Sequence, residues 1–590
     1  MKSKILLSFM LLAFMGCVDD VLDRKPLNLV SDADVWQSTQ LVDLYLVALY
    51  DNIPTGMARG GAAFEFHYTD EASHPYAGSI FVSDYGIQAL ALNTTMYSWI
   101  RKANYFLEMI PTSALTAEEI ATRTAECRFI RAYYYFDLVK KYGGMPIITE
   151  VQGFDTDIEA LRVSRNTEKE VYDYILAELD AAAAGLPESW DATNSNRATK
   201  WSALALKSRS MLYAASIAKY GAVQLNGLIG IPADQALQYY RHSLDASKAI
   251  VDGKKYSLYA KSYDPETGSG DPAANYESIF TDENNVEVIF QKAYSDPNKT
   301  HLYDTYVLPH SFKPACCGSV GSVTLEMVES YENIDGTPGK LDYENKVFET
   351  PDVLFKNKDP RFKATVSRSE SPFIGRNIQI YRGIVAPNGT VYDAPGADFP
   401  LDPSRKQVGL DGPAPLGDVG KTGFYLRKYI NTKGGIVPDG RSAQNYVDFR
   451  YAEILLNLAE ANFEANLDKA AALNAINQIR SRAGIAKLTT AQLTLEKVRN
   501  ERKIELAFED KRFWDMRRWR IGTSLFRNTQ MHGLWPYLQY KDGNYKYTFR
   551  KQSGAPIDNG YTRLFQERDY YSDLSAYIRS NANIRNNPGW

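Results

Sequence analysis

Between residues 253 and 445 the apolar residues lose the helical period that orders the chain on either side of them. This contrast constrains the fold more than any other feature. Ala117 to Tyr142 is the clearest periodic stretch. Ile120, Cys127, Ile130, Tyr134 and Leu138 form one apolar stripe, Thr116 and Glu119 form a capping box, and Gly143-Gly144 and Pro146 end the helix. Further helices are predicted over Asp32–Tyr50 with Ser31 as cap, over a segment reaching Leu107 and stopped by Pro111, and over Asn166–Ala184, Lys200–Tyr220 and Ala233–Asp252. Short connections make these antiparallel pairs. No strict 34-residue repeat runs through them, so a tetratricopeptide-like solenoid stays open only in a degenerate form. Helices resume over Tyr446–Ala465, Asp468–Ala483 and Leu495–Trp519, and the tail from Gly522 reads as loop.

The middle segment is dense in turn pairs such as Asp264-Pro265, Asp296-Pro297 and Asp335-Gly336, with short β-rich runs such as Val286–Phe290. The fold class is therefore mainly α, a helical frame carrying a large loop-rich, partly β insertion. Its divisions are residues 1–16, 17–252, 253–445, 446–521 and 522–590. Long loops on a rigid frame are where binding residues concentrate.

The N-terminus sets the compartment. Lys2 and Lys4 precede an apolar run from Ile5 to Met15, too short to span a bilayer and fitting a secretory signal. It ends at Gly16-Cys17, which resembles a bacterial lipoprotein processing site, with Phe14 where Leu is usual. Lipidation of Cys17 is expected; the alternative is an ordinary secretory signal with an incidental cysteine. The acidic stretch Val18–Asp23 resembles a surface-export signal, so the expected location is the outer membrane, lipid-anchored and facing outward.

Charge and motifs remove several function classes. Lys plus Arg number 67 against 71 Asp plus Glu, a net charge of −4, which excludes a generalised basic field for nucleic acid. The charged stretch Arg499–Arg520 interleaves basic residues with Glu501, Glu505 and Glu509 at i, i+4 and reads as a salt-bridged amphipathic helix. Neither a His-Glu-x-x-His zinc pattern nor a Gly-x-Ser-x-Gly elbow occurs. Gly420-Lys421-Thr422 lacks the upstream glycine of a phosphate loop and reads as a turn, and Asp155-x-Asp157-x-Glu159 reads as a solvated acidic turn. No catalytic residue, cofactor or metal is expected, although paired carboxylates for glycoside hydrolysis are a spatial matter that sequence leaves open.

Several segments together resemble the SusD/RagB family. They are Leu22–Pro26, Ala125–Pro146, Arg197–Trp201, Asp359–Phe362, Arg450–Leu456, Ile476–Gly484 and, most specifically, Arg499–Glu509 with Arg512–Trp519; the closing Asn587–Trp590 fits as well. The resemblance implies a tetratricopeptide-like helical superhelix, no catalysis, and a surface lipoprotein that binds glycan and serves a SusC-like TonB-dependent transporter. A transporter-gating protein that captures peptide or another nutrient is the alternative, and a glycoside hydrolase the third reading.

The 40 tyrosines outnumber 25 phenylalanines and 8 tryptophans. A sugar presents C–H faces and hydroxyls, so its site pairs aromatic rings with polar hydrogen-bonding groups. Two stretches meet this: residues 64–97, with Tyr68, Asp70, His74, Tyr76, Tyr85 and Asn93, and residues 294–312, with Tyr294, Tyr303, Tyr306 and His310. These are the expected glycan contacts, on loops that carry no family motif.

Overall fold

The computed structural model describes residues 32–57, 64–75, 96–153, 155–283, 285–313, 317–414, 418–555 and 557–590. Cys17, Tyr76, Tyr85, Asn93 and Cys316 lie outside them. The longer helices are α1 (Asp32–Trp36), α2 (Thr39–Asp51), α3 (Met96–Met109), α4 (Ala117–Tyr142), α5 (Glu168–Gly185), α6 (Lys200–Tyr220), α7 (Ala236–Asp252), α8 (Tyr451–Glu464), α9 (Lys469–Arg482), α10 (Leu495–Glu505) and α11 (Arg512–Arg518). From α3 to α9 each helix packs on the next in sequence, and α7 reaches α8 across the whole intervening segment. None of the described helices is long and apolar enough to cross a membrane.

Local chemistry explains where these helices start and stop. Thr116 accepts the Glu119 N–H at 3.3 Å, and the Glu119 carboxylate accepts the Thr116 N–H at 2.9 Å, so α4 opens on the expected capping box. It ends at Gly143, whose φ of 75° suits glycine. A Cβ there would also stand 2.9 Å from the Leu228 carbonyl oxygen.

Three expected helices differ. Asp32–Tyr50 is two helices, because Ser38 accepts the Leu41 N–H and starts α2 afresh. The first five residues of Tyr446–Ala465 form a strand. Leu495–Trp519 breaks after Glu505, where Phe508 and Asp510 take φ of 58° and 57°. Tertiary bonds fill the break: the Phe508 N–H donates to Glu71 at 2.8 Å, and Lys428 donates to the Ala507 carbonyl at 2.7 Å.

Besides short two-stranded hairpins and pairs, the strands are β1 (Ala72–Ser73), β2 (Val288–Lys292), β3 (Ser322–Val323), β4 (Val366–Ser367), β5 (Gly383–Val385), β6 (Val391–Tyr392), β7 (Tyr425–Leu426), β8 (Tyr446–Arg450), β9 (Gly533–Lys541) and β10 (Asn544–Gln552). One sheet has the order β1-β3-β7-β4 and another β6-β5-β9-β10, while β2 and β8 form an antiparallel ladder. The tail is therefore not simply loop. Lys541 faces Asn544 across Asp542-Gly543, both at positive φ, which is the two-residue turn a twisted hairpin favours.

Two apolar cores result. The first gathers the helices around residues such as Tyr134, Leu212, Leu455 and Met516. The second lies under the middle segment and takes Trp535 and Phe549 from the hairpin.

Candidate functional site

Position by position, the two aromatic stretches meet at their bases. Ala72 pairs with Val323 and Ser73 with Ser322, the Thr324 N–H donates to the Glu71 carbonyl, and a His67 ring nitrogen lies 2.7 Å from the Val320 carbonyl oxygen. Phe64 meets Tyr303 edge-to-face, with ring centroids 5.8 Å apart.

Burial then divides the expected contacts. Tyr68, Asp70, His74 and Tyr303 are all buried, which corrects the reading that they face a ligand. Asp70 is bonded to Arg512 at 2.8 and 3.0 Å and to Lys503 at 2.8 Å. Burial opposes its charge, and the two cations outweigh that cost and hold its carboxyl well below the usual range. Tyr303 donates to the Lys428 carbonyl at 2.9 Å, Tyr68 packs edge-on against Phe513, and His74 packs edge-on against His67. Asp70 and Tyr68 thereby secure the first loop base to the helical frame, while His74 and Tyr303 pack within the loop-rich part.

Tyr294, Tyr306 and His310 stay half-exposed. The Tyr294 ring meets His301 at 4.5 Å between centroids, and its backbone N–H donates to Asn445 at 2.9 Å. His301 is buried, which holds its imidazole below the ordinary range. The Nδ1 atom of His310 lies 3.8 Å from Asp418, which also pairs with Lys313. Each is a half-exposed aromatic or polar side chain of the kind a hydroxylated ligand needs. Gln444 and Asn445 join these residues without an aromatic signal in the sequence. Gln444 donates to Asp304 at 2.8 Å, and both amides come from the stretch before β8, where no aromatic cluster marks them.

Beneath the loops lies a network of buried charge. Arg450 donates to Glu287 at 2.7 Å, Glu505 at 2.6 Å and Glu509 at 2.9 Å. Arg361 reaches Glu501 at 2.7 Å and Glu505 at 2.8 Å, and Arg482 also pairs with Glu505. The three glutamates spaced at i, i+4 thus find long-range partners in place of the pairing within the helix expected for Arg499–Arg520. The tyrosine run is likewise structural: Tyr133 donates to Asp448, Tyr134 to the Leu49 carbonyl and Tyr135 to the Ile148 carbonyl.

The other expected features have ordinary roles. Cys127 is buried, Asp157 caps the short helix Ile158–Leu161, and the Gly420 N–H donates to Tyr425 within a turn. Among the described residues no group of three or more His, Cys, Asp or Glu side chains is placed to hold a metal ion.

A family model described as "SusD family" matches residues 286–590, just over half of the chain. The chain belongs to the SusD family. A second model, described as "Starch-binding associating with outer membrane", matches residues 20–212, so the family signature covers the helical N-terminal part as well. A SusD-like protein of Formosa agariphila is 22% identical over 556 residues, covering 89% of this chain and 92% of that protein. A SusD-like protein from Bacteroides fragilis has a crystal structure that superposes with a TM-score of 0.72 at 26% identity, over 96% of this chain and all of the other. A second B. fragilis structure, titled a SusD-like carbohydrate binding protein, gives 0.69 at 23% identity over 93% of this chain and all of its own. The fold is the mainly α SusD fold with added strands.

Proposed function

We propose that this SusD-family chain is a non-catalytic, cell-surface glycan-binding subunit. It captures oligo- or polysaccharide and passes it to a SusC-like TonB-dependent transporter, tethered to the outer membrane through lipid on Cys17. The observation that carries the reading is the family match, with one matching model described as starch-binding and associated with the outer membrane. Half-exposed Tyr294, Tyr306 and His310, on an aromatic stretch whose Tyr303 packs against Phe64 of the other, support it. In this reading the helices of 17–252 and 446–521 are scaffold, and 253–445 bears most of the ligand site. Tyr294 and Tyr306 stack on sugar faces, and His310 bonds hydroxyls. Tyr76, Tyr85 and Asn93 remain proposed contacts from the first stretch.

The test is affinity electrophoresis of the soluble mature chain in gels holding single polysaccharides. The wild type is retarded by at least one, and Tyr294→Ala with Tyr306→Ala weakens the retardation about tenfold. Retention of a SusC-like partner with no retardation by any polysaccharide favours the transporter-gating reading instead.

A further inference from the structure

Gln291, on β2, lines two separate hollows. The first, of about 270 Å³, lies between α2, the turn around Asn194–Arg197 and β2. The second, of about 310 Å³, lies between β2 and the segment from Tyr429 to Val447. The two share a design. Each has an aromatic pair in its wall: Tyr50 with Phe290 at 6.5 Å between centroids, and Phe280 with Tyr429 at 4.7 Å. Each also carries side-chain amides, Asn194 and Asn196 in the first, Asn431, Gln444 and Asn445 in the second. Gln291 is half-exposed between them, and its amide donates to Asn196 at 3.1 Å.

The charges lining the hollows already face protein groups. Lys299 is 2.5 Å from Asp51, Lys292 donates to the Asp51 carbonyl at 2.7 Å, and Arg197 is 2.6 Å from Glu126. In the second hollow, Arg441 donates to Asp296 at 2.9 Å. Recognition of sulfate or carboxylate groups relies on cations that aim donors at the ligand. Here Arg197 is turned inward to Glu126, Lys299 and the exposed Arg441 are each matched by a carboxylate at the rim, and Asp282, Glu283 and Asp304 add negative charge to the second hollow. The wall rings are largely buried and shape the hollows, and what a ligand meets at the rim is chiefly the amides of Gln291 and Asn196, which suit hydroxyls. Each volume sits near the lower end of the roughly 300–1,000 Å³ range of single-ligand pockets, so an occupant that fills both is elongated.

We propose that the two hollows flanking Gln291 form one extended subsite for a neutral oligosaccharide chain, which crosses over Gln291 and places sugar units on both sides. This rests on the glycan-binding reading and adds to it a second contact region, a chain-length preference and a charge preference.

The experiment has two stages. Starch, laminarin, xylan, galactomannan, alginate and a sulfated galactan are first screened by affinity electrophoresis. The tightest binder is then cut to a ladder of two- to eight-unit oligomers for calorimetry with wild type, Gln291→Ala, Asn196→Ala and Tyr294→Ala. Thermal unfolding confirms that the variants are folded, since Gln291 and Asn196 bond at the exposed rim. The expected result is a neutral polymer as tightest binder and an affinity that climbs about tenfold between short and long oligomers. Gln291→Ala removes that climb while leaving the shortest oligomers within about twofold. The same climb in Gln291→Ala, or a preference for alginate or the sulfated galactan, overturns the subsite. If Tyr294→Ala abolishes binding and the Gln291 and Asn196 variants match wild type, the groove alone falls. If none of the six polymers binds, the groove falls together with the reading beneath it.

Discussion

Tyr133, Tyr134 and Tyr135 stand side by side in α4, and their hydroxyls reach three distant parts of the chain. That is what much of the tyrosine surplus is for: an apolar ring in a helical core with a polar tip that ties down a remote backbone or carboxylate. Tyr133→Phe leaves a buried Asp448 oxygen without this donor, although Arg209 still reaches that carboxylate at 2.8 Å. The expected cost is about 1–2 kcal/mol, read from denaturant unfolding. Glu71 offers a second test at this scale. Burial pushes its carboxyl up to about 7 from 4.5, and the Asp70 charge beside it adds to the rise despite the Phe508 N–H that bonds it. The folded state therefore keeps this proton up to about pH 7, while the unfolded chain loses it near its ordinary value. This contribution to stability is whole below about pH 4.5 and is lost as pH rises through about 7. Glu71→Gln removes the slope, so the variant gains about 2–3 kcal/mol on wild type between pH 5 and pH 8 in unfolding midpoints. At the residue scale the sequence showed which aromatics sit on helices. It did not show that Asp70 is an anchor, because its partners Lys503 and Arg512 lie more than four hundred positions away.

Elements were legible where a local signal decides them. The Thr116–Glu119 box and Gly143 bound α4 at the expected residues because capping is a contact between near neighbours. Gly143→Ala forces a Cβ against the Leu228 carbonyl at an unfavourable φ, and a loss of about 1–2 kcal/mol is expected in thermal or denaturant unfolding. Elements were illegible where distant partners win. The break after Glu505 follows from Glu71 and Lys428 bonding the backbone of Ala507 and Phe508, and Tyr446–Arg450 is strand because β2 lies beside it. The β9–β10 hairpin carries its own local signal, Asp542-Gly543 between alternating aromatics. Arg450 shows how strongly the elements depend on one another, since it holds Glu287 of the middle segment and Glu505 of the helix beyond it. Arg450→Met takes one cation from three buried carboxylates that then share Arg361, Arg482 and Lys428, and a loss of about 3–5 kcal/mol with a clearly lowered Tm is expected from calorimetry.

At the scale of the molecule, the change of period at residues 253 and 445 was the most informative feature of the sequence. Residues on either side of those points divide largely between two cores, and the second core is closed by a hairpin from the tail. The ion-pair network joins the cores, so the loop-rich part is held to the helices by charge as well as by apolar packing. The rim residues could be named only as a set of loop aromatics. Which of them are half-exposed depends on burial, and burial is a property of the assembled chain. The anchor is tested by Cys17→Ala: in cells of the source bacterium the variant leaves the outer-membrane fraction, and its retention there contradicts a lipid tether at that residue. The central claim is capture of glycan without turnover. Its most direct measurement incubates the purified mature chain with each polysaccharide, recording binding by calorimetry and polymer length by chromatography on the same samples. The account predicts saturable binding of at least one neutral polysaccharide, recovered at its original length. Shortened polymer, or no binding across the panel, contradicts it.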